Sequence, residues 1–181
     1  VELAAIILIS FLSAPSGYAG FATGTPIGIS DGWKTIEQMV SGSSALAGTL
    51  TGDESNRTVS WTNQYVLRKT EHFGITPITM VYITYGDNKE LIVTPGHLFI
   101  SKDGTLRQAS TVYVGMELLQ ADGTETPIQS VTFNSYTGAV YTLAVVEVYQ
   151  QNSDGHLLNA NGIVTGDFIL EINTSFEFDP G

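Results

Sequence analysis

Short apolar runs with alternating or β-branched residues recur along the chain from Gly20 onward, and turn dipeptides such as Asp31-Gly32 and Asp103-Gly104 separate them. Runs punctuated in this way are typical of β-strands joined by tight turns. The pattern predicts an all-β fold with a further turn at Asn134. Its predicted strands are Thr25–Ile29, Thr58–Leu67, Ile78–Tyr85, Glu90–Ile100, Met116–Leu119, Ile128–Phe133, Val140–Tyr149 and Gly162–Ile172.

Two stretches depart from the strand pattern and predict short helical turns, Trp33–Met39 and Thr105–Val112. Each comes after a strand and an Asp-Gly turn, and each is followed by a Gly turn. The same order of elements repeats at an offset of about 70 residues, and self-similarity at a fixed offset indicates a duplicated unit. We therefore predict a domain with internal pseudo-twofold symmetry whose two halves intertwine.

Residues 1–19 have a different pattern, in which the apolar run Leu3–Leu12 precedes small residues that end at Ala19. The run is too short to cross a bilayer, so we predict no transmembrane span. It has the apolar region of a secretory signal but lacks the basic residues that precede one. The alternative is a structural arm, because exposed apolar patches favour association. We predict contact of this arm with other copies or neighbouring assembly subunits through Leu3, Ile6, Ile7, Ile9 and Phe11.

The charge of the chain narrows the choice of partners and of chemistry. The 7 Lys and Arg residues against 18 Asp and Glu residues give a net charge of -11, which repels nucleic acid. So few basic residues suit an extracellular or virion surface. The absence of cysteine excludes disulfides and thiol nucleophiles. Because His72, His97 and His156 lie far apart in sequence and no Gly-rich phosphate loop is present, we predict neither a metal nor a cofactor.

The stretch "LIVTPGHLFISKDG" places a polar pair, Thr94 and His97, in an otherwise apolar strand. One interpretation is a satisfied polar pair in a core turn, since Thr-Pro-Gly is itself a turn sequence. The other is a catalytic pair, in which a hydroxyl positions a reacting group and an imidazole transfers a proton. The residues alone leave both interpretations open.

The order of these motifs resembles the Hint domain, shared by hedgehog autoprocessing domains, inteins and bacterial intein-like proteins. The stretch "GFATGTPIGISDGWKTIEQMVSG" resembles its amino-terminal block, and "VTPGHLFISKDGTLRQASTVYVGMELLQADGT" resembles its Thr-x-x-His block. The closing "GHLLNANGIVTGDFILEI" is more similar to a hedgehog-type end. The resemblance implies a horseshoe-shaped, pseudo-twofold β-domain over residues 20–172, with the arm in 1–19 and a tail in 173–181.

The resemblance also implies roles for single residues. In Hint domains the Thr and the His flank the amide before the nucleophile, so Thr94 would bind and strain that peptide and His97 would protonate its departing nitrogen. Gly20 stands at the nucleophile position and has no side chain. The segment Thr165–Asp167 stands where inteins end in a His-Asn pair, and Asp167 falls near the second nucleophile of hedgehog-type domains. A carboxylate there is a poor acyl acceptor.

Three functions follow from this sequence. The loss of both reactive ends favours an inactive Hint-like domain that serves as a structural or interaction subunit of an extracellular or virion assembly. The alternatives are residual self-processing between Ala19 and Gly20, and small-ligand binding in the vacated cleft. All three place Thr94 and His97 within reach of the Ala19-Gly20 peptide, with Thr165–Asp167 close by.

Overall fold

The computed structural model describes residues 20–53, 55–74, 76–146 and 152–174, and these ranges form an almost entirely β structure. The segment 1–19, with its apolar run, lies outside the described residues. The strands are β1 (Phe21–Ala22), β2 (Pro26–Ile29), β3 (Gly32–Thr35), β4 (Ser44–Thr51), β5 (Thr58–Tyr65), β6 (Arg68–Phe73), β7 (Ile78–Tyr85), β8 (Lys89–Val93), β9 (Leu98–Ile100), β10 (Leu106–Gln108), β11 (Glu117–Leu119), β12 (Glu125–Tyr136), β13 (Ala139–Ala144), β14 (Leu157–Ala160) and β15 (Ile163–Gly166). Two 3-10 helices span Ile36–Gln38 and Ala109–Thr111, and the helix α1 spans Phe168–Asn173. The predicted all-β fold is confirmed.

The strands form two sheets, and all of the neighbouring strands described pair antiparallel. The seven-stranded sheet has the order β11-β12-β7-β8-β1-β13-β6. The eight-stranded sheet has the order β10-β9-β15-β14-β2-β3, and β4 joins it at β14 and carries β5. The short strand β1 lies between β8 and β13, with Phe21 opposite both Val93 and Tyr141. The amino-terminal end of the described chain is therefore held in the middle of a sheet.

The strand order of both sheets is approximately symmetric, so that each half of the chain contributes corresponding strands. In the eight-stranded sheet the hairpin β14–β15 is flanked by the hairpins β2–β3 and β9–β10. In the other sheet β6 pairs with β13 and β12 pairs with β7, so the consecutive strands β6 and β7 lie towards opposite ends. The two halves thus intertwine, as the repeated pattern predicts.

Equivalent backbone hydrogen bonds relate the two halves in detail. The Ile36 N–H donates to the Thr25 carbonyl at 2.9 Å, and the Ala109 N–H donates to the His97 carbonyl at 2.8 Å. Thr25 N–H in turn donates to the carbonyl of Ala22, just as His97 N–H donates to that of Thr94. Thr94 and His97 therefore occupy, in the second half, the positions that Ala22 and Thr25 hold in the first.

The Asp-Gly dipeptides form the turns that the sequence predicts. Gly104 and Gly123 have left-handed φ values of 89° and 85°, which a side chain would disfavour. The preceding carboxylates, Asp103 and Asp122, each accept the backbone N–H two residues on, at 2.8 and 2.9 Å. The hydrogen bonds from Thr105 lower the pKa of Asp103. Each turn is therefore stabilised by its own side chain, which explains why local sequence identifies it.

The core lies between the sheets and continues under α1. A large buried cluster includes Phe21, Tyr85 and Phe99, and a smaller one joins Leu98, Val164 and Leu170 of α1. Gly166 allows this approach, because a Cβ there would lie 3.2 Å from both the Leu98 Cβ and a methyl of Leu170. No helix within the described ranges is long and apolar enough to cross a membrane.

The structure corrects several local expectations from the sequence. Trp33–Met39 and Thr105–Val112 contain strands β3 and β10, and only three residues of each form a 3-10 helix. The predicted turn at Asn134 is wrong, because β12 continues through it to Tyr136. The predicted strand Gly162–Ile172 ends at Gly166, where the chain turns into α1. The predicted strand Glu90–Ile100 is divided into β8 and β9, with Thr94 and His97 in the turn between them. Strands β1, β4, β6 and β14 have no counterpart among the predicted strands.

Candidate functional site

Thr94 holds the backbone of Gly20 from both sides. The Gly20 N–H donates to Thr94 Oγ1 at 2.9 Å, and the Thr94 N–H donates to the Gly20 carbonyl, also at 2.9 Å. Thr94 is buried. This contact is available because β1 lies beside β8, and Thr94 comes directly after the last residue of β8. The peptide nitrogen between Ala19 and Gly20 is therefore fixed in the structure, whereas Ala19 itself lies outside the described residues.

His97 lies in the core beside this strand and is 1% exposed. Its ring packs edge-on against Phe21 at 4.2 Å between centroids and against Phe99 at 5.7 Å. The Nε2 atom is buried without a hydrogen-bond partner among the described residues. A buried imidazole with one unpartnered nitrogen is the kind of group that transfers protons, provided its other nitrogen is held.

Glu171 on α1 holds that other nitrogen. Its Oε1 atom lies 2.6 Å from His97 Nδ1, and it also accepts the Leu98 N–H at 3.3 Å. Burial raises the pKa of Glu171, while the charge and hydrogen bond of His97 oppose the rise and the nearby Asp167 adds to it. Glu171 can be buried because His97 lies beside its carboxylate as a partner.

A second histidine, His156, pairs with Asp167, the residue that caps the beginning of α1. Asp167 caps α1 by accepting the Leu170 N–H at 2.9 Å, and its other oxygen accepts the Val145 N–H at 3.1 Å. His156 Nδ1 lies 3.1 Å from the capping oxygen, and both side chains are buried. Asp167 therefore fastens α1 to β13 and β14 at once, and the acyl-acceptor role that the resemblance implies for it stays a prediction.

Gly20, which the resemblance places at the nucleophile position, leaves little room for a side chain. A Cβ atom there would lie 2.7 Å from a methyl of Val140 and 2.9 Å from the Tyr141 carbonyl oxygen. Either distance is shorter than side-chain carbons tolerate, so the neighbouring strand would have to move. The strand β13 has closed onto the space that a nucleophile would need.

The structure brings together most of the residues singled out in the sequence. Thr94 and Gly20 are hydrogen-bonded, and His97 packs on Phe21, the residue after Gly20. Thr165 lies opposite Phe99 on β15, next to the strand that follows His97. The catalytic roles implied for these residues stay predictions, as does the distance from His97 to the Ala19 carbonyl.

Sequence reasoning missed Glu171 and treated His156 only as an isolated histidine. The available signal was local: Asp167 followed one helical turn later by Glu171 places two carboxylates on one face of a helix. The strand predicted over Gly162–Ile172 hides that signal, because the helical spacing is recognised only when the segment is a helix. Within the described ranges, no three His, Asp or Glu side chains cluster as metal ligands would.

A surface cleft of about 460 Å³ lies at the β9–β10 turn rather than at this site. Its walls carry charges of both signs, and it is lined by Ser101, Lys102, Asp103, Arg107, Tyr113, Gly115, Met116, Glu117 and Glu125. None of Gly20, Thr94 and His97 lines this cleft. Small-ligand binding at the vacated position of the nucleophile therefore stays a prediction.

We expect the substitution Glu171→Gln to change how stability depends on pH. Because burial raises the pKa of Glu171 in the folded chain, the folded state binds more protons than the unfolded state, and stability falls as the pH rises through the ordinary glutamate value of 4.5. The variant lacks this fall, which is at most about 1.4 kcal/mol per pH unit. Urea unfolding should show the variant gaining stability relative to the unchanged chain as the pH is raised.

The matched control for this experiment is Glu117→Gln, since Glu117 is an exposed glutamate on β11. Its stability curve should run parallel to that of the unchanged chain. Parallel curves for Glu171→Gln as well would show that Glu171 has the same proton affinity in the folded and unfolded states.

No protein-family model matches the chain, and no curated protein matches its sequence. Several solved structures match its fold. A bacterial intein-like domain from Clostridium thermocellum aligns with a TM-score of 0.65 at 20% identity, over 82% of this chain and 98% of that one. The gp41-1 intein aligns at 0.61 and 19% identity, over 83% and 100%. A DnaB intein from Synechocystis sp. PCC 6803 aligns at 0.61 and 14%, over 83% and 99%.

At such identities the alignments establish the fold alone. The chain has the two-sheet β fold of inteins and intein-like domains, and the resemblance that the Thr-x-x-His block indicates is confirmed at that level.

Proposed function

We propose that this chain is an intein-fold domain that no longer performs the acyl shift and serves as a structural or interaction module. One observation carries the proposal: Thr94 holds Gly20 by hydrogen bonds on both sides, but Gly20 offers no atom that could attack a carbonyl. The peptide is bound where a nucleophile would be needed, and the nucleophile is missing.

The chemistry explains why the missing side chain matters so much. An amide is a poor electrophile with a poor leaving group, and a covalent intermediate divides its cleavage into two easier steps. A side-chain thiol or hydroxyl at residue 20 would attack the preceding carbonyl while a proton passes to the departing nitrogen. Thr23 and Thr25 carry hydroxyls, but Thr23 Oγ1 donates to the Ala139 carbonyl and Thr25 Oγ1 to the Ala22 carbonyl. Neither is aimed at the peptide before Gly20.

A second candidate function is slow hydrolysis of the Ala19-Gly20 bond. It is favoured by the survival of Thr94 and His97, because one binds the peptide nitrogen and the other could carry a proton. Water would add to the Ala19 carbonyl, the C–N bond would break, and the Gly20 nitrogen would leave as an amine with the proton. Without a covalent step we expect this reaction to be negligible at neutral pH.

The apolar run near the beginning of the sequence is the part of the proposed module that would contact a partner. The apolar run Leu3–Leu12 is suited to burial against protein, and burying each large aliphatic side chain is worth about 1.5–3 kcal/mol before entropy is subtracted. We propose that this arm joins copies or neighbouring subunits in an extracellular or virion assembly. Deletion of residues 1–14 should leave the β-domain folded and change the size-exclusion profile, and identical monomer peaks for both chains would contradict the assembly.

We expect the unchanged chain to remain intact when it is incubated with dithiothreitol at neutral pH. The physical reason is the missing nucleophile, and intact-mass spectrometry over several days measures it directly. His97→Ala serves as the control, since it should give the same unbroken mass. Release of residues 1–19 by the unchanged chain but not by the control would overturn the proposal and establish His97-assisted hydrolysis instead.

A further inference from the structure

Both carboxylates of the final helix turn reach buried histidines. Asp167 pairs with His156, and Glu171, one helical turn later, pairs with His97. The two carboxylates belong to one backbone unit, because the Glu171 N–H donates to the Asp167 carbonyl at 3.1 Å. The place of Glu171 is therefore set by the cap at Asp167 and not by its own contact alone.

The contact between Glu171 and His97 is enclosed on every side. The side chains of His97 and Glu171 are 1% and 5% exposed, so little water competes for either. Phe21 and Phe99 pack edge-on against the imidazole and oppose its rotation. With the ring held in this way, Nδ1 lies beside Glu171 and Nε2 is buried on the other side of the ring.

The two ring nitrogens then differ in what they can carry. Neither nitrogen makes a hydrogen bond of regular geometry within the described ranges, but Nδ1 lies 2.6 Å from Glu171 Oε1, close enough for a small turn of the carboxylate to let it accept an Nδ1 proton. The Nε2 atom has no such neighbour among the ion pairs of the described residues. An unsatisfied buried N–H is rarer in proteins than an unsatisfied acceptor, so a proton on Nε2 is disfavoured. The favoured form has the proton on Nδ1 and a lone pair on Nε2.

We propose that Glu171 is the positioning residue of His97, and that it holds the imidazole in the tautomer whose Nε2 can accept a proton. The helix α1 is then part of the site, although the site residues singled out in the sequence end at Asp167, directly before it. The inference rests on the site of the proposed function, but it does not require that site to be active. It assigns the proton-accepting role to Nε2 and leaves Nδ1 permanently engaged.

The tautomer can be measured by long-range 1H–15N correlation spectra of the histidine rings in the full-length chain at neutral pH. His72→Gln identifies the signals of one of the 3 histidines, and the buried pair is assigned by its slow hydrogen exchange and by contacts to Phe21. We expect the unchanged chain to show a single His97 form with Nδ1 protonated and Nε2 not.

Glu171→Ala should convert this single form into a mixture of tautomers, because no acceptor then selects Nδ1. Glu171→Gln provides a second variant that retains the shape of the side chain, and its amide can also donate to Nδ1 and favour the opposite tautomer. The control Glu117→Gln, on β11, should leave the His97 spectrum unchanged.

An Nε2-protonated His97 in the unchanged chain would overturn the inference, and so would the same tautomer in the unchanged chain and both Glu171 variants. A purely structural role for Glu171 would lower the unfolding midpoint without changing the tautomer of the folded state. Failure of the proposed function would be recognised separately, as release of residues 1–19 by the unchanged chain.

Discussion

Replacing Asp167 by alanine should lower the free energy of unfolding by at least about 1–3 kcal/mol, the cost of leaving a buried hydrogen-bonding group without its partner. The substitution leaves His156 without its carboxylate and removes the acceptor of the Leu170 and Val145 N–H groups. It also removes the cap of α1, which alone is worth about 1 kcal/mol. Urea unfolding followed by circular dichroism measures the loss.

The matched control is Asp167→Asn, which keeps the shape and one carbonyl oxygen. Since asparagine caps helices as well as aspartate does, the Asn variant should lose less stability than the Ala variant. Equal stability of the Ala variant and the unchanged chain would show that α1 is not fastened by this residue. The same experiment tests the site, because a freed α1 also removes Glu171 from His97.

The double substitution Gly20→Cys with Val140→Ala should create thiol-dependent cleavage before residue 20. The new thiol would attack the Ala19 carbonyl, the C–N bond would break with a proton passing to nitrogen, and dithiothreitol would take the acyl group from the thioester. The alanine at 140 removes the methyl group that would lie 2.7 Å from the new Cβ atom, and β13 has only to shift slightly at the Tyr141 carbonyl oxygen, which would lie 2.9 Å away. Intact-mass spectrometry should detect the shortened chain after incubation.

Two further variants make this result interpretable. Gly20→Ala with Val140→Ala has the same packing without a thiol and should stay intact. Adding His97→Ala to the cleaving chain should slow it by about 10²–10⁴-fold, the usual contribution of a general acid or base. A folded double variant that stays intact would contradict the assignment of Gly20 to the nucleophile position.

Features that depend on residues close together in the chain could be predicted from the sequence, whereas features that depend on distant residues could not. Asp103-Gly104 and Asp122-Gly123 are recognisable because the carboxylate, the left-handed glycine and the N–H that satisfies it lie within three residues. The duplicated order of strand, turn and 3-10 helix is recognisable for the same reason. Boundaries were less reliable, since β12 passes through Asn134 where its segment Ile128–Tyr136 pairs with β7.

The candidate site shows the same division. Thr94 and His97 stand out because they interrupt an apolar stretch within four residues, and Gly20 stands out through the motif that follows it. Glu171 could not be placed beside His97 from the sequence, because 73 residues separate its contact at Leu98 from the helix. No pattern in the residues between them indicates that Glu171 and His97 come into contact.

By itself, the sequence determined the all-β class and the internal duplication and singled out Gly20 and the Thr94–His97 pair, because each depends on residue types and short spacings. Only the tertiary structure decided that β13 closes over Gly20, that α1 begins at Asp167, and that its two carboxylates meet His97 and His156. These contacts form because β1 pairs with β13 and β15 pairs with β9, and the members of each pair lie far apart in the sequence. Because both carboxylates are buried, each needs a histidine partner in place of water.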